Sequence, residues 1–307
     1  MATKGTSFIE DGNYLIFRPF FCQPWYISSC FIIVYVTGML ANLFMLVVIG
    51  KDPKICLRTR SSYLITNLII SDFVGAVMNT FRILHQISVD ALRDSKLISY
   101  VHKPTVIIAY AALLVSLSTV LLISVERLLA IIQPLRFKVL VTKKLVAFAA
   151  VATWLICASV AVILFYIPGR NHVFQGITVL NILLLVSLPT IYTKAFYSLR
   201  KQQLAADNLN SSSGNGERKE KRILQQKKFL LTSVTLILVY LITCAPFTIY
   251  NYKKISESGL HNPYNTNDEL VTGFWIILSL NLCIDPFLYC LRIPQYRKSC
   301  LALITKQ

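Results

Sequence analysis

Seven runs of about twenty predominantly apolar residues limit what this chain can fold into, because a helix of that length crosses the ~30 Å of hydrocarbon in a bilayer. They cover roughly Tyr26 to Gly50, Ser61 to His85, Val101 to Gln133, Leu145 to Ile167, Val173 to Leu199, Phe229 to Tyr252 and Leu270 to Leu291. Lipid offers no partner to a bare N–H or C=O, so each run is predicted to close its own hydrogen bonds as an α-helix. Only 15% of the residues are charged, against about a quarter in soluble domains. The expected fold is an all-α membrane protein, a bundle of seven transmembrane helices with a short amphipathic helix after the last.

A net charge of +17 would suggest nucleic acid in a soluble chain, but its distribution argues for a membrane and against a nucleic-acid partner. Alternate loops place 22 Lys/Arg and 5 Asp/Glu on one side, against 9 and 7 on the other. The basic side is expected to be cytoplasmic, with the N-terminus outside and the C-terminus inside. A basic surface also suits anionic lipid headgroups. The first 24 residues contain Lys4, Glu10, Asp11 and Arg18 and no sustained apolar stretch, so they read as an extracellular tail rather than a cleaved signal peptide. Of the eight cysteines only Cys22 falls on the outer side, and no disulfide framework or zinc spacing is visible.

The few polar residues within the spans carry the functional information. A carboxylate at Asp72, near mid-membrane, costs about 2.5 to 3.5 kcal/mol unless paired. Asn281 and Asp285 stand four residues apart and share a helix face. Two carboxylates in a low dielectric cannot both stay bare, so they hold a cation, share protons, or sit neutral as hydrogen-bond glue. Prolines 189, 246 and 286 lie mid-span, where membrane bundles tolerate them as hinges or as static kinks. Glu126-Arg127-Leu128 sits at the end of the third run, with Pro134-Leu135 following.

The ordered set of Asn42, Leu68-x-x-x-Asp72, Glu126-Arg127, Trp154, Pro189 with Tyr197, Pro246 and Asp285-Pro286-x-x-Tyr289 resembles rhodopsin-like (class A) G-protein-coupled receptors from about Trp25 to Leu303. The resemblance implies a plasma-membrane receptor, not an enzyme, that binds an extracellular ligand in the outer half of the bundle and activates a heterotrimeric G protein. Its parts would be an N-terminal tail (1–24), a receptor domain (25–291) with a cytoplasmic linker at about 201–226, and an amphipathic helix and tail (292–307). Glu126, Arg127, Tyr197, Pro246, Asp285, Pro286 and Tyr289 would form the coupling switch. Asn42, Asp72, Ser116, Asn281 and Asp285 would form a polar core, with a sodium ion as allosteric modulator and no other cofactor or metal. Asn42 and Trp154 also have plainer readings, as interhelical glue and as packing or lipid contact.

The ligand pocket implied by the resemblance comprises Tyr110, Asn181, Phe247, Thr248, Asn251, Trp275 and Ser279, with Arg82 and His85 at a rim where both also read as snorkelling to headgroups. Ala109 stands where amine receptors carry Asp, which disfavours a protonated monoamine. A cationic rim over aromatic and amide walls suits a small molecule, lipid or peptide with an acidic group. Cys300 is a candidate for lipidation, or else a plain buried thiol.

Departures from the family pattern are specific. His102 replaces the cysteine that usually clamps the second outer loop, and that loop, about Gly169 to Gly176, has no cysteine. Losing both halves together resembles the melanocortin, lysophospholipid and cannabinoid branch, with the adenosine receptors also near. Cys244 replaces the usual tryptophan of the sixth helix, and Gln226 stands near the place of the acid that latches it to the arginine. The weaker latch predicts some signalling without ligand. The last run has no retinal-linking lysine, the halves show no transporter-like repeat, and all four histidines lie near the outer edge without ligand spacing. The competing reading is a non-coupling or chemosensory member of the same family.

Overall fold

The computed structural model describes residues 25–52, 57, 59–92, 95–167, 172–209, 224, 234–235, 238–254, 256 and 269–305. Helices α1 (Trp25–Lys51), α2 (Arg60–Leu92), α3 (Ser95–Ile132), α4 (Pro134–Leu140), α5 (Lys143–Tyr166) and α6 (His172–Leu209) follow one another. Then come α7 (238–254), α8 (Glu269–Ser279), α9 (Asn281–Arg292) and α10 (Pro294–Ile304). Among the described residues six stretches are long and apolar enough to cross a membrane, and α7 overlaps the later part of the remaining predicted run. The molecule is a seven-helix bundle in which α8 and α9 together make the last span.

Large apolar side chains point outward as well as inward, as in a helix with lipid on one side. Phe148, Leu155, Val186 and Ile242 are exposed, whereas Tyr35, Leu68, Leu184 and Phe247 fill the interior. α3 is central, packed against α2, α5 and α6, while α1 packs against α2 and α9.

Local chemistry sets the breaks. Thr142 caps α5 by accepting from the Leu145 N–H at 3.2 Å. Pro134 opens α4, as its missing N–H permits at a first helical position. Two boundaries differ from the apolar runs. α6 continues to Leu209, into the first part of the predicted linker, because polar residues such as Lys201, Gln202 and Gln203 are good helix formers once outside lipid. α6 also begins at His172, inside the outer loop expected at about Gly169 to Gly176.

The seventh run is not one helix. At Leu280 the backbone N–H is shared between the Ile276 and Ile277 carbonyls, both at 3.2 Å, and α9 restarts at Asn281. One turn further on, Pro286 has no N–H to offer the Leu282 carbonyl. Asn42 takes its place, donating through Nδ2 to Leu282 O at 2.8 Å and to Gly38 O at 2.9 Å. A Cβ on Gly38 would lie 3.2 Å from Leu282 O, so glycine is what lets α1 and α9 approach this closely. After Ile293 the chain turns into α10, which buries Tyr296, Ser299, Cys300 and Ala302 and exposes Arg297 and Lys298, the amphipathic pattern expected of it.

Candidate functional site

The polar core forms where α2, α3 and α9 meet. Asp72 is 2% exposed, and both the Ser116 hydroxyl and the Asp285 carboxylate face it. One turn from Asp285, Asn281 accepts a hydrogen bond from Thr243 Oγ1 at 2.9 Å and donates to Cys244 Sγ at 3.4 Å, tying α9 to α7. Asp72 Oδ2 is buried with no hydrogen-bond partner among the described residues. An unsatisfied carboxylate oxygen beside a second carboxylate and a hydroxyl is a fitting donor set for a small hard cation. Asn42 commits its amide nitrogen to the α1 and α9 backbones, the glue reading of that residue, while its Oδ1 is buried without a hydrogen-bond partner among the described residues.

A single elongated cavity passes through the core. It encloses about 1150 Å³ of empty space, open solvent at its mouth included. It runs from Arg82 and Trp275 past Tyr110 and Ser279 to Asp72 and Asp285, and reaches Tyr289 at the far end. Small side chains at Gly75, Ala109 and Ala112 are among its walls. Tyr35 and Ser279 join their hydroxyls across it at 3.1 Å.

The other pocket candidates stand behind this lining. Asn181 accepts from the Tyr240 hydroxyl at 2.7 Å, and Tyr240 itself lines the cavity. Phe247 packs edge-on against Trp275 with centroids 5.1 Å apart. Thr248 donates to the Cys244 carbonyl at 2.8 Å, and Asn251 is buried in the next turn of α7. His85 is half-buried beside Phe81, and with Arg82 and His102 it makes a cluster of nitrogen-bearing side chains near one mouth.

At the opposite end, Arg127 Nε lies 3.5 Å from Glu126 Oε2. Ser61 of α2 donates to the other oxygen of that carboxylate at 2.8 Å, so Glu126 joins α3 to α2. Tyr289 is buried against Tyr296, while Tyr197 on α6 is 72% exposed and turned away from the core. Pro246 and Pro286 lie inside α7 and α9. Gln226 and the Ser211 to Ser213 segment lie outside the described residues. Cys300 is buried, its thiol turned toward α9.

Several positioning residues carry no motif in the sequence. Asn67 accepts from Trp154 Nε1 at 2.9 Å and donates to Thr119 Oγ1 at 2.7 Å, fastening α5 and α3 to α2. Trp154 is thus more than a packing residue. Tyr35 and Tyr240 are mid-span phenols, and a hydroxyl at that depth was the available signal, since it requires a partner.

The 7 transmembrane receptor (rhodopsin family) pattern matches residues 41–289. The chain is similar to G-protein coupled receptor 183-A of Danio rerio, with 22% identity over 100% of this chain and 87% of the relative. It is similar also to the QRFP-like peptide receptor of Branchiostoma floridae, with 21% identity over 89% of this chain and 76% of that protein. With the match extending from α1 to Tyr289 across all seven spans, the chain belongs to the rhodopsin family of seven-transmembrane, G-protein-coupled receptors.

Proposed function

We propose that this receptor sits in the plasma membrane with its N-terminus outside, takes a ligand into the cavity at the Arg82 end, and activates a heterotrimeric G protein at the Arg127 end. The observation that carries the reading is the one cavity joining Arg82, the Asp72/Asp285 pair and Tyr289. A ligand entering it changes the surroundings of the groups that hold α9 and α7 together. Glu126 holds Arg127 in the resting receptor, and Tyr289 and Tyr197 move toward it on activation. A sodium ion between Asp72 and Asp285 favours the resting form by neutralising two carboxylates in a low dielectric.

The ligand is a small molecule, lipid or peptide with an acidic or hydrogen-bonding group for Arg82 and an apolar body along Tyr110 and Trp275. The QRFP-like relative is named as a peptide receptor, which keeps short peptides among the classes. Ala109 offers no carboxylate for a monoamine ammonium near the mouth.

A second-messenger screen of these ligand classes in cells expressing the chain, with Arg127→Ala as control, tests the reading. A response abolished by Arg127→Ala supports it. Nucleotide exchange on purified G protein that stays at the level of G protein alone, with every class, would favour the non-coupling scaffold instead.

A further inference from the structure

Three sulfur atoms meet where α1, α9 and α10 converge, none of them in the lining of the cavity. Cys290 Sγ lies 3.0 Å from Cys300 Sγ and 3.1 Å from Met45 Sδ, and Cys300 Sγ lies 4.0 Å from Met45 Sδ. Cys290 occupies the last turns of α9, and Cys300 the buried face of α10. The turn at Ile293 aims the two helices so that side chains ten positions apart in sequence touch.

We propose that Cys290 and Cys300 are an oxidisable dithiol, a modification site that closes to an intramolecular disulfide and clamps α10 onto α9. A disulfide bond is about 2.05 Å long, so the sulfurs need approach by only about 1 Å, within the reach of side-chain rotation.

The two cysteines have unequal roles. The two thiols share a hydrogen bond at 3.0 Å in which either sulfur can donate, and this contact with Cys290 holds Cys300 below the usual thiol range and favours its thiolate. With a hydroperoxide as oxidant, the Cys300 thiolate attacks the peroxide oxygen, the O–O bond breaks, and Cys300 becomes a sulfenic acid. The Cys290 thiol then attacks that sulfur, the S–O bond breaks, and water leaves with the Cys290 proton. In total two thiols lose two electrons and two protons, and hydrogen peroxide becomes two waters. Cys290 is half-buried and gives a small oxidant a way in. Met45 is a thioether and cannot join the disulfide; it walls the pair on the α1 side.

Lipidation of Cys300 and this disulfide exclude each other, because a thioester consumes the same sulfur. The buried orientation of Cys300 favours the disulfide.

The experiment uses the full chain in lipid nanodiscs, titrated with hydrogen peroxide, alkylated, digested with trypsin and analysed by mass. Arg292, Arg297 and Lys298 lie between the two cysteines, so trypsin separates them into different peptides. The expected result is one linked peptide pair, lighter by two hydrogens than the sum and separated by dithiothreitol. It is lost in both Cys290→Ser and Cys300→Ser. Phenylarsine oxide, which bridges adjacent thiols, is expected to protect both cysteines of the untreated protein from alkylation, a check that needs no variant to fold. Three results would overturn the proposal: both cysteines remaining alkylatable after peroxide; copper bound through the three sulfurs and accounting for their protection; or Cys300 recovered as a hydroxylamine-sensitive thioester.

Discussion

The Asn42 amide donates to the Leu282 carbonyl at 2.8 Å, and this is the carbonyl that Pro286, four residues later, leaves without its helical donor. A side chain on the first span thereby completes the backbone of the last. The Gly38 carbonyl, one turn earlier on α1, accepts from the same amide nitrogen.

Replacing Asn42 by Leu removes that donor. Interhelical hydrogen bonds in membranes contribute roughly 0.6 to 1.7 kcal/mol, so the melting temperature in detergent is expected to fall. Adding Pro286→Ala returns an N–H to Leu282 and is expected to recover part of the loss. A melting temperature that Pro286→Ala leaves unrelieved would break the link between the two residues.

Gly38→Ala places a Cβ 3.2 Å from Leu282 O and 3.3 Å from Leu282 Cβ. The first of these contacts is backbone and cannot swing aside, so α9 must move and thermal stability drops. Gly50→Ala, with nothing within 4 Å of the new Cβ, is the matched control and is expected to be neutral or slightly stabilising.

Asn67 and Trp154 share one hydrogen bond at 2.9 Å. Asn67→Ala and Trp154→Phe should therefore be less than additive, with a coupling of about 0.5 to 1.5 kcal/mol in a double-mutant cycle. Additive losses in unfolding measurements would return Trp154 to the role of a packing residue.

For the polar core, exchange of sodium chloride for choline chloride at constant ionic strength is expected to lower the melting temperature of the receptor. Asp72→Asn and Asp285→Asn each remove one of the two carboxylates and are expected to shrink that difference. An equal sodium effect in all three proteins would place the cation elsewhere.

Ser61 and Arg127 both engage the Glu126 carboxylate. Glu126→Gln keeps the shape but removes the charge, which releases Arg127 and is expected to raise basal nucleotide exchange. Ser61→Ala is expected to act in the same direction with smaller effect, and Arg127→Ala to abolish exchange. Basal exchange unchanged by Glu126→Gln would count against the pair as a restraint.

Much of the architecture was legible before any coordinates. Apolar runs of membrane length demand helices, and their order together with Asp72, Arg127 and Pro286 identified the family. The paired acids at Asp72 and Asp285 were legible too, since a charge in hydrocarbon needs a partner wherever it is found. What could not be read was which partner each polar group takes. Asn42 has two readings in the sequence, a member of the polar core by resemblance and interhelical glue, and its amide nitrogen meets a backbone carbonyl of α9. Tyr240 carried no motif, yet it holds Asn181 and lines the cavity.

The sequence by itself determined the number of crossings, the charge asymmetry across them and the chemical type of the buried groups, because transfer of a residue into lipid depends on that residue and its near neighbours. The tertiary structure alone decided the break at Leu280, the handover of Leu282 from Pro286 to Asn42, the continuity of one cavity from Arg82 to Tyr289, and the meeting of Cys290 with Cys300. Each of these rests on helix rotation and crossing angle, which depend on how side chains from different helices interlock and not on the composition of any one of them.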